Sequence, residues 1–270
     1  MQRAHRWRAP GRVAALALAF ALACTACRDD RVLLSFHPPT GASYTYAVHV
    51  ESTSTSTFAG RSTSPHDEAD LAVQQRVLDA KDGTTRVQVM LGREGVGERT
   101  FVMRFDRAAQ LTAVESVEGI PTGALGDLGL SEIFPAAAGA PPDRGLRPGD
   151  RWTVDDHVQL AGMNAPALLT GEGRLVELGV VDGHKTATVT SSTSLPITST
   201  ASAANGVQTL TGTDTTTITV VYDLADGSVR HSTSITRGTF DAVLAAPQGQ
   251  TSAPIQGTVT VEVRSEIRRT

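Results

Sequence analysis

The sequence predicts a mostly β protein built from antiparallel sheet, with one short helix. Three observations carry this. Apolar and polar residues alternate at period two in many separate runs. Turn-forming pairs, Asp82-Gly83, Asp182-Gly183, Asn205-Gly206 and Asp226-Gly227, stand between those runs. Thr, Ser and Val are abundant, and Thr and Val suit a pleated, half-buried surface better than a helix.

The chain opens with a different kind of segment. Arg3, Arg6, Arg8 and Arg12 precede an unbroken apolar run from Val13 to Ala23. A basic start, a short apolar stretch and a small residue form the pattern of an export signal, expected here over residues 1–23. The run is shorter than the roughly 20 residues that a membrane-spanning helix needs. Ala23 is followed directly by Cys24, and Ala26 by Cys27. A small residue before cysteine at this place resembles the lipobox of bacterial lipoproteins, in which the cysteine is acylated and becomes the new N-terminus. Cys24 keeps apolar residues before it and is the favoured site; Cys27 is the alternative. The pair also has a CxxC spacing, but no βαβ pattern or second Cys/His pair accompanies it, so a redox or zinc role is not expected.

Residues 24–40, with Asp29, Asp30, Pro38 and Pro39, read as a lipidated tether. Tyr44, Tyr46, Val48 and Val50 then fall on one face of a first strand. The Ser/Thr-rich stretch 52–64 suggests a hairpin with a long loop. Leu71, Val73 and Val77 mark the next strand, and Lys81-Asp82-Gly83 a turn. Val87, Val89 and Leu91 continue the pattern, as do Phe101, Met103 and Phe105. Leu111 to Val117 extends. Within 119–134, Leu125, Leu128, Leu130 and Ile133 have spacings near three, which suggests the short helix or a capping loop. The Ala-, Gly- and Pro-rich residues 135–148 read as a linker between a first β-rich half, 41–134, and a second, 149–270.

The second half opens at Gly149-Asp150-Arg151-Trp152, with Val154 and Val158 following at strand spacing. Leu175 and Leu178 lie in a less regular strand. Ala187 and Val189 follow the Asp182-Gly183 turn. Ile218, Val220 and Tyr222 share a face, and Val259, Val261, Val263 and Ile267 close the chain. The halves repeat an order of features. Gly41-x-x-Tyr44 matches Gly149-x-x-Trp152; Asp82-Gly83 matches Asp182-Gly183; Phe101-x-Met103-x-Phe105-Asp106 matches Ile218-x-Val220-x-Tyr222-Asp223. Offsets of about 100 to 117 residues would require insertions if the halves are duplicates. Such halves would form one continuous curved sheet or half-barrel, or two joined domains.

The lipobox-like start, the Gly-x-x-aromatic opening and the Pro148-Gly149-Asp150-Arg151-Trp152 element together resemble a family of uncharacterised bacterial lipoproteins. That resemblance implies an extracytoplasmic location and no particular activity. The compartment and strand pattern are also similar to those of lipid-carrying half-barrels of the bacterial envelope, a likeness of fold alone.

Composition narrows the function classes. The chain has 270 residues and a formal net charge of −4; loss of the four leader arginines takes this to about −8. No basic stripe is present, so no nucleic-acid partner is expected. The seven histidines show no metal-binding spacing along the chain. Asp155-Asp156-His157 reads as a solvated turn, since adjacent strand residues point to opposite faces. His66-Asp67-Glu68-Ala69-Asp70 reads as the solvated start of a strand and lacks the glycine of a calcium loop. No Gly-x-Ser-x-Gly elbow or phosphate-binding loop occurs. Neither an enzyme, a cofactor nor a metal site is therefore expected. The expectation is a lipoprotein held by its N-terminal lipid on the extracytoplasmic face of the cell membrane. Its body would bind an apolar or amphipathic ligand, with Trp152, Tyr44 and Tyr46 as ligand contacts, although a lone tryptophan at a strand start is also a common core plug. The alternative is a structural or protein-interaction module of the envelope.

Overall fold

A computed structural model describes residues 31–93, 97–107, 109, 111–119, 141–158, 167–203, 206–245 and 253–270. Residues from Val32 onward form one compact unit. Twelve strands run in chain order: β1 (Ser43–Phe58), β2 (Arg61–Thr63), β3 (His66–Lys81), β4 (Thr84–Arg93), β5 (Gly97–Phe105), β6 (Leu111–Gly119), β7 (Arg151–Val158), β8 (Ala167–Val181), β9 (His184–Ala203), β10 (Gly206–Asp223), β11 (Val229–Ala245) and β12 (Ile255–Arg269). All pairings are antiparallel. They make one sheet in the order β6-β5-β4-β3-β1-β12-β11-β10-β9-β8-β7, with β2 beside β1, and the sheet is not closed into a barrel. The mostly β, antiparallel expectation is met. No helix occurs among the described residues; the short helix expected within 119–134 lies outside them apart from Gly119, the last residue of β6.

The ends of the body meet at the middle of the sheet. β1 pairs with β12 from Tyr46–Arg269 to Phe58–Gly257. The two sequence halves are thus continuous through one hydrogen-bonded ladder, and each extends outward as a meander. The meanders begin alike. The Gly41 N–H donates to the Val77 carbonyl at 2.9 Å, and the Gly149 N–H donates to the Leu175 carbonyl at 2.7 Å. The Val77 N–H returns to Ala42 and the Leu175 N–H to Asp150, closing the same two-bond corner in both halves. Both glycines have positive φ, 85° and 94°, a conformation that favours glycine. A register shift follows each corner, between Val77 and Asp79 and between Leu175 and Glu177. The latter accounts for the irregular apolar pattern of β8.

The turn chemistry is local. Asp82 and Gly83 have φ of 51° and 73°, and Asp182 and Gly183 have 50° and 80°. Positive φ at both central residues is the two-residue hairpin that matches strand twist. Ala59 and Gly60, at 47° and 77°, make a third such turn between β1 and β2. The Ser/Thr segment expected to hold a long loop is therefore strand up to Phe58. β9 and β10 pair as far as Ala203–Gly206; Asn205 of the expected Asn205-Gly206 turn lies outside the described residues.

One face of the sheet carries the core. Tyr44, Tyr46, Val48 and Val50 pack with β3, β4 and β5 residues including Val73, Val89, Phe101 and Met103. A second cluster joins Trp152, Val154, Leu169, Leu175, Ala187 and Val189. Register puts both clusters on the same face. Residues 32–40, at the end of the expected tether, also belong to the body. Val32 bridges Leu146, which is fully buried, and Phe36 meets Phe105 edge-to-face with centroids 6.0 Å apart. The last residues of the expected linker are thereby held against this strap.

Candidate ligand-binding face

Between the two apolar clusters, the same face carries hydroxyl and small side chains. Ser232, Ser234, Ser265, Thr216, Thr236, Ser191 and Thr193 occupy it on β9 to β12. Ser234 bonds Ser265 at 2.8 Å and Thr216 bonds Thr236 at 2.9 Å, so these hydroxyls satisfy one another across strands. The Thr190–Thr200 run is rich in hydroxyl side chains. It lies on β9, which is paired on both sides over much of its length, and Ser191 and Thr193 are buried.

Farther along the long strands, the face turns apolar again. Phe240, Ala242 and Val259 form a small third cluster. Phe58, Ile197, Leu210 and Val261 surround it and are only partly buried. Gly212 and Gly238 lie beneath this strip on neighbouring strands, and a side chain at either would overlap the Phe240 ring. Asp214 stands in the same strip, between Leu195 on β9 and Gly238 on β11. It has no hydrogen-bond or ion-pair partner among the described residues. Burial pushes its carboxyl above the ordinary aspartate range. Nothing in the local sequence around Asp214 sets it apart, because its burial comes from strands that pair at a distance.

The aromatic residues expected to contact ligand lie in the core. Tyr44 and Tyr46 are 4% and 5% exposed, and Trp152 is 8% exposed. The Trp152 indole covers Gly173, its cross-strand partner, where any Cβ would overlap the ring. These three residues are not brought together: the tyrosines belong to the first cluster and Trp152 to the second. Cys24 and Cys27 lie outside the described residues.

A polar junction closes the end of the sheet where β1 begins and β12 ends. The Tyr44 hydroxyl donates to Asp226 at 2.7 Å, and the Arg269 guanidinium lies 4.6 Å from the Tyr44 ring centroid. Asp223, 3% exposed, accepts from Arg230 at 3.3 Å and lies 2.9 Å from His184 Nδ1. Burial pushes the Tyr222 hydroxyl up to about 12. The Ser35–His37 strap crosses this junction, with the His37 N–H on the Asp226 carbonyl at 2.9 Å. The cavity beside it, lined by Leu33, Phe36, Arg107, Tyr222 and Gly227, has a volume of about 10 Å³. That is room for about one water, not for a ligand. The junction is a fastening, whereas the strip around Phe240 leaves Phe58, Ile197, Leu210 and Val261 only partly buried.

No protein-family model matches the chain, and no curated protein matches it.

Proposed function

We propose that the protein is an extracytoplasmic lipoprotein, anchored through an N-terminal acylated cysteine, whose body binds an apolar or amphipathic ligand along the strip formed by β9 to β12. The observation that carries the reading is the incomplete cover over Phe58, Ile197, Leu210 and Val261 on the core face of the sheet. An apolar surface that is only half removed from water gains roughly 25 cal/mol per Å² when a ligand covers the rest. The glycines beneath Phe240 leave the strand surface low, and Asp214 offers a partly desolvated carboxylate to a polar or cationic end group.

The test is displacement of a long-chain fluorescent acyl probe from the full chain. Ile197→Ser with Leu210→Ser should weaken probe binding at least about tenfold while the thermal midpoint stays close to wild type, since both side chains are only partly buried. Failure of the wild-type protein to bind the probe, or unchanged binding in the double variant, would overturn the reading.

A second reading, an envelope interaction module, is favoured by the strand edges. β6 and β7 stand at the two ends of the sheet order and each pairs with one strand. An edge strand exposes unpaired backbone groups that another chain can extend.

A further inference from the structure

Register lines the core face up in rows across β9 to β12. Leu195, Asp214, Gly238 and Val261 form one row. The row on one side bears hydroxyls, on Thr193, Thr216 and Thr236. The row on the other is apolar, with Ile197, Phe240 and Val259. Asp214 thus stands at the boundary between a hydroxyl surface and an apolar one. From the Val189 row to the Ser199 row, it is the single charged side chain on this face of these four strands.

Gly238 makes the carboxylate part of the apolar strip. A Cβ there would overlap both Asp214 Oδ1 and the far end of the Phe240 ring, so the two lie side by side over bare glycine backbone. The arginines of β11 and β12 alongside these rows do not answer the charge. Arg237 and Arg264 project from the opposite face, where each donates to Glu262 at 2.8 Å. Desolvation is what acts on the Asp214 carboxyl, and no cation among the described residues offsets it. A carboxylate drawn partly out of water without a counter-charge is destabilised, and a cation placed on it removes that cost. Once ionised it only accepts hydrogen bonds, so it suits an N–H-bearing cation and repels a carboxylate or phosphate.

We propose that the strip takes a cationic amphiphile, with an amine head on Asp214 and an alkyl chain along Phe240 towards Leu210 and Phe58. The inference rests on the proposed ligand-binding strip and adds the charge of its ligand. An ammonium carries three donors. The carboxylate accepts from it, and the Thr216 and Thr236 hydroxyls, bonded to each other at 2.9 Å, keep acceptor lone pairs one row away, about 7 Å along the strands. In the other direction, the four residues of strand from Asp214 to Leu210 offer the chain about 13 Å of surface.

The experiment compares dodecylamine, dodecanol and dodecanoate, each below its micelle concentration, as competitors of a fluorescent acyl probe on the full chain near neutral pH. Dodecylamine should bind at least about tenfold tighter than dodecanol, and dodecanoate more weakly than either. Asp214→Asn should bring the amine-to-alcohol ratio close to one. Asp241→Asn removes the same charge from the outer face of β11 and should keep the wild-type ratio. Equal binding of the three competitors, or an amine preference that survives Asp214→Asn, would overturn the cationic inference and leave the strip itself standing; the second result would trace the preference to the net charge of the surface. Failure of all three to compete would overturn the strip and this inference together.

Discussion

Tyr44 and Asp226, 182 residues apart, share a 2.7 Å hydrogen bond that fastens the first strand of the sheet to the turn before β11. Asp226 also accepts the Ser228 N–H at 2.9 Å. Burial pushes the Asp226 carboxyl up, but hydrogen bonds from Ser228 and Tyr44 and the nearby Arg269 charge outweigh it and hold the carboxyl below the ordinary aspartate range.

Tyr44→Phe keeps the buried ring and removes one of these donors. The expected cost is about 1–2 kcal/mol, because a partly buried carboxylate loses a partner. A depressed folded-state pKa contributes stability that is present above the unfolded value of about 3.9 and is lost as pH falls through the folded value. The variant should therefore begin to unfold at higher pH than wild type on acid titration. Denaturant midpoints measured from neutral pH down into the acid range check both effects; an unchanged acid limb would show that the hydroxyl contributes nothing to the carboxyl's low pKa.

Gly173 lies under the Trp152 indole, and a Cβ there would meet the ring. Gly173→Ala should destabilise the second cluster by about 1–3 kcal/mol, although alanine is ordinarily the better strand residue. Trp152 is the single tryptophan among the described residues, and with Trp7 replaced by Phe its emission reports this site. A red-shifted emission with a lower thermal midpoint is expected. Stability equal to wild type would mean that the ring moves aside without cost.

The alternation of Tyr44, Tyr46, Val48 and Val50 and the Asp-Gly pairs made most strands legible, because side-chain direction and positive φ are local properties. The matched openings at Gly41 and Gly149 were legible for the same reason, and they form the same hydrogen-bonded corner. The pairing of β1 with β12 was not legible, since nothing local says which strands become neighbours. The burial of Ser191 and Thr193 was not legible either, because it comes from strands that pair at a distance. The candidate sites follow the same division. His49 and Glu51 on β1 meet Asp70 and Glu68 on β3 only through register, which the order of residues along the chain does not reveal. Tyr44, Tyr46 and Trp152 stood out as aromatic residues, yet their positions at strand starts place them in the core.

Asp214 is half-buried in an apolar strip, and burial alone raises its carboxyl pKa. A group whose folded pKa lies above its unfolded value contributes stability below about pH 3.9, and that contribution is lost as pH rises through the folded value. At neutral pH the charged carboxylate thus works against the fold. Asp214→Asn should raise the thermal midpoint near pH 7, and the advantage should shrink on acidification. Parallel melts across that range test it. An asparagine variant no more stable than wild type at neutral pH would mean that water or a bound cation already solvates the carboxylate.

The two candidate acylation sites differ in what they leave between lipid and body. From Cys24 to Val32 an extended chain reaches at most about 28 Å; from Cys27 it reaches about 18 Å. A single acyl chain binds a membrane marginally, whereas two hold it stably, so under the proposed anchoring the acylated cysteine would govern membrane retention as well as labelling. Cys24→Ala should abolish incorporation of labelled palmitate and release the body from the membrane fraction. Cys27→Ala should retain both, because residues before Cys24 keep the apolar lipobox-like pattern and those before Cys27 do not. The reverse result would move the anchor to Cys27 and shorten the tether. Labelling and membrane retention that survive the joint replacement of both cysteines would remove the lipoprotein assignment altogether.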